Sequence, residues 1–220
     1  MTRCATRILP GFVFIFTLVL IGGCSSAYYG AMEKVGVHKR DIMVDRVEGA
    51  RNAQQEAQEQ FKSALEQFDS VVKLEETDLK KAYDQLNSEY EDCVSVADTV
   101  SSRIDKVKDV SEDLFDEWQD EIGLYENKEL ARSSKKQLSD TKKRYQEMIK
   151  HMEEAEKSME PVLNLFRDNV LFLKHNLNAQ AIGSLQNEFA GLQTEIDNLI
   201  SRMSEAIDSS NAFIAQMQTK

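Results

Sequence analysis

The chain has 220 residues, and its 27 Lys and Arg against 38 Asp and Glu give a formal net charge of −11. An acidic surface repels nucleic-acid phosphates, so we expect no nucleic-acid partner. Two Pro and nine Gly, with abundant Glu, Lys, Gln, Ala and Leu, favour an all-α fold of long helices.

Residues 1–23 have the parts of a secretory signal peptide. Arg3 and Arg7 form a basic start without acidic residues, and an apolar run extends from Phe12 to Ile21. That run is about half of the roughly 20 apolar residues that a membrane-spanning helix needs. The pattern therefore favours a cleaved signal peptide over a transmembrane span.

Residues 21–24 (IGGC) resemble the lipobox of bacterial lipoproteins. The resemblance implies that Cys24 is lipidated, with palmitate among its acyl groups, and becomes the first residue of the mature protein. More than one acyl chain gives stable membrane anchoring. Ser25, rather than Asp, follows the cysteine, which favours the periplasmic face of the outer membrane over the inner membrane.

Cleavage after residue 23 would leave 25 basic and 38 acidic residues, a net charge of −13. Cys93 would then be the one cysteine besides Cys24, so no internal disulfide is expected.

Residues 24–36 are predicted to be a tether and residues 37–220 a helical domain. The basic cluster His38, Lys39 and Arg40 could contact anionic headgroups, or be an ordinary polar helix start.

Apolar residues recur at alternating steps of three and four along four segments of the domain. This spacing predicts amphipathic helices packed along a seam. The four predicted seams run over Val47–Val71, Leu79–Ile122, Leu138–Leu173 and Ile182–Met217. Within the third, Pro161 should kink or restart the helix.

Polar, Gly and Asn residues predict the turns between these segments. The turns are predicted at residues 73–78, with Thr77 or Asp78 as the N-cap, at Gly123 and Asn127, and at Asn176 and Asn178. At the last of these turns, Asn is expected because it tolerates the left-handed conformation at a helix end. Similar helix lengths and short turns fit an up-down-up-down antiparallel bundle. The alternative is a longer rod, continuous through residues 73–78 and stabilised as a homo-oligomer.

Four stretches of the chain resemble the proteobacterial domain-of-unknown-function family 2959. They are residues 28–41 (YYGAMEKVGVHKRD), 44–68 (VDRVEGARNAQQEAQEQFKSALEQF), 116–122 (DEWQDEI) and 161–185 (PVLNLFRDNVLFLKHNLNAQAIGSL). The resemblance implies a lipid-anchored helical protein and supplies no activity. Members are sometimes labelled DNA-repair ATPases, but this sequence has no Gly-Lys pair from which a P-loop could be built.

No catalytic or metal-binding pattern stands out in the sequence. A di-iron bundle needs Glu-x-x-His pairs, and none of the three histidines has Glu three residues before it. His151, with Glu147 and Glu154 nearby, could form a weak metal site or a solvated helix face. Cys93 falls on a seam, as a small buried apolar residue would. We expect no enzyme activity, no cofactor and no metal.

Two further groups of residues are candidate interaction sites. Arg167, Asp168, Lys174 and His175 lie within the apolar block 166–178, which could be a docking tip for an envelope protein or a packed helix corner with polar caps. Lys220 could link the protein to peptidoglycan, although the bundle topology returns the C-terminus towards the membrane.

The sequence thus predicts a non-enzymatic outer-membrane lipoprotein that acts as an interaction or scaffolding module in the periplasm. One alternative is a structural spacer between the outer membrane and peptidoglycan. Another is a metal-binding helical bundle or an enzyme.

Replacing Cys24 tests the prediction that the protein is a lipoprotein. Cys24→Ser removes the thiol that would be acylated, so lipidation should stop and an uncleaved or mislocalised precursor should accumulate. Membrane fractionation and the mass of the N-terminal peptide measure this. Normal fractionation of the variant with the membrane would contradict the lipoprotein assignment.

Overall fold

The computed structural model describes residues 38–73, 79–176 and 179–218, except for the side chains of residues 179–181. Of these residues 95% are helical and none is in a strand. The predicted signal peptide, Cys24 and its tether, Thr77, Asp78, Asn178 and Lys220 lie outside the described residues. Within the ranges described, no helix combines the length and apolarity that crossing a bilayer requires.

Five helices make up the described part of the chain. They are α1 (Lys39–Val72), α2 (Leu79–Gly123), α3 (Lys128–Lys157), α4 (Met159–His175) and α5 (Ala179–Gln218). α2 packs against both α3 and α4, as does α5, so α3 and α4 together form one column of the bundle. The all-α bundle of long amphipathic helices is therefore confirmed.

The predicted seams form the core of the bundle. All eight seam positions of α1 from Val47 to Val71 are buried. In the other columns every seam position is buried or half-buried, and the half-buried ones are Leu79, Tyr90, Trp118, Ile122, Tyr145 and Phe189. The three-four spacing therefore identified the buried face of each helix, because residues at that spacing share one side of a helix.

The contacts of α1 establish the direction of its neighbours. Gln60, twelve residues before the end of α1, donates from Nε2 to Oε2 of Glu89, ten residues into α2, at 2.9 Å. Nε2 of Gln186, early in α5, donates to the carbonyl of Val72 at the end of α1, at 2.7 Å. The chain thus reverses between α1 and α2, and the continuous rod considered for residues 73–78 is not formed.

The third column is interrupted at Ser158, three residues before Pro161. Proline lacks an N–H, and its ring clashes with the carbonyl four residues earlier, which here belongs to Lys157, the last residue of α3. The Ser158 N–H donates to the carbonyls of Glu154 and Ala155, both at 3.2 Å, and so closes α3. The predicted restart near Pro161 is confirmed.

The turn between α2 and α3 has the predicted residues. α2 ends at Gly123, and Asn127 caps α3 because its Oδ1 accepts from the N–H groups of Glu129 at 2.9 Å and Leu130 at 3.3 Å. These are backbone donors that the first turn of a helix leaves without an intrahelical acceptor.

The end of α4 differs from the prediction in its backbone conformation. Asn176 has φ −128° and ψ 61°, which lies outside the left-handed region expected for it. Its Nδ2 instead donates to the carbonyl of Phe172 at 2.9 Å, and its N–H to that of Leu173 at 3.2 Å. The asparagine therefore ends the helix by bonding its last carbonyls, which makes a left-handed cap unnecessary.

An aromatic cluster joins four helices at one level of the bundle. The ring of Phe68 in α1 lies 6.0 Å from that of Phe166 in α4 and 6.1 Å from that of Phe189 in α5. Tyr90 in α2 contacts Phe166 edge to face at 6.2 Å. Such ring pairs add to the stabilisation that their burial provides.

Gln54 is the polar exception in the seam of α1. Its side chain is fully buried, and within the described residues neither its Nε2 nor its Oε1 has a hydrogen-bond partner. A buried amide without partners costs about 1–3 kcal/mol of folding free energy.

Gln54→Met should therefore raise the free energy of unfolding by about 1 kcal/mol or more, because methionine fills similar space without polar atoms. Urea denaturation measures the change. Gln58→Met is the matched control on the same helix, since Nε2 of Gln58 bonds Oγ of Ser204 at 2.9 Å and the Ile200 carbonyl at 3.1 Å. A stability loss in Gln54→Met equal to that of the control would refute the assignment.

Candidate functional site

The basic cluster at the start of α1 is only partly free for a membrane contact. His38 and Arg40 are exposed, and Lys39 is half-buried. The guanidinium of Arg40 donates to the carbonyl of Met217 in the last turn of α5. α5 thus returns to the level at which α1 begins, which opposes an extended bridge through Lys220, itself outside the described residues.

The four predicted docking residues all lie exposed on α4. Arg167 and Asp168 are brought together, with 3.5 Å between Nε and Oδ1. Lys174 and His175 occupy the last turn of α4, where positive charge is favourable to the helix dipole. Their positions thus suit polar capping of a helix end as well as docking.

Two apolar side chains on α4 add a feature that the seam analysis did not single out. Leu171 is 46% exposed and Phe172 is 40% exposed. Phe172 borders a groove of about 300 Å³ between α4 and α5, which we call the α4–α5 groove. It is lined by Leu165, Asp168, Asn169, Phe172, Ser184, Leu185 and Glu188.

A sequence signal for these two residues does exist. The seam of α4 passes through Phe166, Val170 and Leu173, all buried. Leu171 and Phe172 stand off that series, so the spacing places them on the outer side of the helix. Within a dense apolar run, this signal is easily overlooked.

The α4–α5 groove combines an apolar floor with an acidic rim. Leu165 and Leu185 contribute the aliphatic surface, and Asp168 and Glu188 are exposed carboxylates. Asn169 is buried, and its Nδ2 already donates to the Leu165 carbonyl at 2.7 Å. Such a surface is complementary to a segment with apolar and basic side chains.

The histidine considered for metal binding lies on α3. His151 is half-buried, and in the described part of the chain its Nδ1 has no hydrogen-bond partner. Among residues 38–73, 79–176 and 179–218, no group of three or more His, Cys, Asp or Glu could hold a metal ion. Glu147, His151 and Glu154 therefore do not form such a group.

The thiol of Cys93 is buried in the seam of α2. Burial, with a smaller contribution from the charge of Glu89, raises the pKa of Cys93 from 9.0 to about 12. Because the thiolate is the nucleophile, the thiol is unsuited to catalysis at neutral pH.

Cys93 should react with a thiol reagent at least about 1000-fold more slowly in the folded protein than in urea at pH 8, since burial lowers both thiolate fraction and access. Cys93→Ser gives the background rate. Equal reaction rates with and without urea would contradict the burial of this thiol.

The raised pKa also predicts that the free energy of unfolding falls as pH rises above about 9, because the thiol of the unfolded chain loses its proton at a lower pH than the thiol of the folded protein.

Comparison with known proteins connects the described helices to a family. The family model described as "Protein of unknown function (DUF2959)" matches residues 28–217, a range that includes α1 to α4, nearly all of α5 and the α4–α5 groove. No curated protein and no solved structure matches the chain. The family resemblance seen in the sequence is therefore confirmed, and the chain belongs to the DUF2959 family.

Proposed function

We propose that this protein is a non-enzymatic lipoprotein of the outer membrane, held by lipid on Cys24, whose bundle serves as a docking module in the periplasm. The charged start, apolar run and IGGC sequence support the anchor. The acidic mature charge and the burial of the Cys93 thiol favour an interaction role over chemistry.

The observation that carries the proposal is the exposed pair Leu171 and Phe172 beside the α4–α5 groove. The groove residue Leu185 is next to Gln186, which bonds the Val72 carbonyl at the end of α1. α1 has 34 residues, or roughly 50 Å at about 1.5 Å per residue. The groove thus lies a helix length away from the start of α1, the end that follows the tether.

The chemistry of the groove defines the partner. Covering exposed Leu and Phe side chains with a partner lowers the free energy of the complex, and large apolar side chains contribute most of the binding energy at protein interfaces. The carboxylates of Asp168 and Glu188 favour a partner with Lys or Arg beside its apolar residues. We therefore propose a protein segment, such as an amphipathic helix, with apolar and basic side chains.

Site-specific photocrosslinking in cells tests this proposal. A photoreactive amino acid in place of Leu171 should crosslink to one envelope protein, and the crosslinked peptide should contain apolar and basic residues. The matched control carries the same group in place of Glu160, which is also exposed on α4 but lies away from the groove. Identical crosslinks from both positions would show that the groove is not a docking site.

A second variant separates docking from folding. Phe172→Gln with Asp168→Lys should abolish the crosslink, because it removes an apolar anchor and reverses one rim charge. Both side chains are exposed, so helicity by circular dichroism should stay the same. A crosslink that persists in this variant would refute the assigned partner chemistry.

A further inference from the structure

The turn between α2 and α3 and the first turn of α3 expose three large apolar side chains. Leu124 is 81% exposed, Tyr125 is 44% exposed, and Leu130, in the first turn of α3, is 54% exposed. The three residues fall within seven positions of sequence. We refer to Leu124, Tyr125 and Leu130 as the α2–α3 apex.

The α2–α3 apex projects beyond the other helices. One pocket is lined by Arg40 near the start of α1, Met217 near the end of α5, Trp118 of α2 and Gln137 of α3. From that level, α2 continues for five residues to Gly123, and α3 has its first nine residues before Gln137. At about 1.5 Å per residue, the hairpin extends roughly 8 to 14 Å past the level where α1 begins.

Specific contacts hold the projecting hairpin together. Trp118 Nε1 donates to Ser134 Oγ at 2.9 Å and joins α2 to α3 below the apex. The Asn127 side chain caps α3 at the apex itself. Leu124 is fixed by its N–H, which donates to the Glu121 carbonyl at 3.0 Å. The exposed leucines are therefore presented by an ordered turn.

The length of the tether limits how far this end can stand from a membrane. Cys24 and Arg40 are 16 residues apart, which is at most roughly 55 Å of extended chain at about 3.4 Å per residue. The hairpin projects from the end of the bundle at which α1 begins. A lipid on Cys24 would thus hold the start of α1, and with it the apex end of the bundle, within that distance of the bilayer surface.

The charge of the hairpin indicates which force could bind it there. Residues 116–136 contain six acidic and four basic side chains, a net charge of −2. Attraction to anionic headgroups is therefore not the driving force. Leu and Tyr side chains partition favourably into the headgroup and acyl-chain boundary, which amphipathic segments enter to a depth of about 5 to 10 Å.

We propose that the α2–α3 apex inserts Leu124, Tyr125 and Leu130 into the surface of the bilayer that carries the lipid anchor. This inference rests on the proposed lipidation of Cys24. The bundle then has two contacts with the membrane, one covalent and one apolar, on the same end. A second apolar contact holds the groove end away from the surface and fixes the direction in which it points.

Depth-dependent quenching of a fluorophore tests the proposal with the processed full-length protein in phosphatidylcholine vesicles. A fluorophore is attached at Glu126→Cys, which leaves the three apex residues intact, and part of the lipid carries bromine on its acyl chains. We expect strong quenching at this position. A fluorophore at Asn187→Cys, exposed near the α4–α5 groove, should not be quenched. The protein without an introduced cysteine measures the background.

Substitutions at the apex give the size of the effect. Leu124→Ser and Leu130→Ser should each lower the equilibrium constant for insertion by about tenfold, since each removes a large apolar side chain. Leu171→Ser, at the other end of the bundle, is the matched control and should leave quenching at position 126 unchanged. Replacing part of the lipid with phosphatidylglycerol should not increase quenching.

The outcomes separate the apex from the anchor. Flotation of the protein with vesicles and the mass of the Cys24 peptide report the anchor, whereas quenching at position 126 reports the apex. A protein that floats while position 126 is as unquenched as position 187 overturns the proposal and leaves the anchor intact.

Discussion

An amphipathic helix of 34 to 45 residues has no means of burying its own apolar stripe, and this requirement governs the whole structure. Each stripe must face its neighbours continuously, so interruptions are tolerated only where they keep the phase. The break at Ser158 meets this condition, because Ala155, Met159 and Val162 remain buried at steps of four and three across it. Pro161 thus removes backbone hydrogen bonds of the helix but leaves the buried apolar stripe uninterrupted.

The same requirement explains where the two candidate interaction surfaces occur. Beyond the level of Arg40 and Met217, α2 and α3 have lost two of their neighbours, and a two-helix hairpin cannot enclose large apolar side chains. Leu124 and Leu130 are exposed there for that reason. On α4, Leu171 and Phe172 lie outside the seam, so burial in the bundle was never available to them.

The sequence predicted the elements of this fold well, because spacing alone determines which face of a helix is buried. The seams, the restart near Pro161 and the turn at Gly123 and Asn127 all followed from local patterns. The conformation of Asn176 did not, since a side-chain bond to the Phe172 carbonyl replaced the expected left-handed cap. The projection of the hairpin was also out of reach, because it depends on which levels of α1, α2 and α5 coincide.

For the candidate sites, the charged residues were predicted from the sequence, and the exposed apolar residues were not. Arg167 and Asp168 were noticed because charges stand out within an apolar run. Leu171 and Phe172 did not stand out there, although their offset from the seam marked them as outward-facing.

The seam of α1 has a consequence for the uniqueness of the assembly. One set of heptad positions holds Val47, Gln54, Phe61 and Phe68, and the other holds Ala50, Ala57, Ala64 and Val71. Sliding α1 by one turn would set phenylalanine rings where methyl groups now pack. Sliding it by a full heptad would keep a ring at only one of the two phenylalanine positions and would move the Gln54 amide into the space of Phe61. The alternation of large and small residues, with one misplaced amide, therefore selects a single register among those that the repeat would otherwise allow.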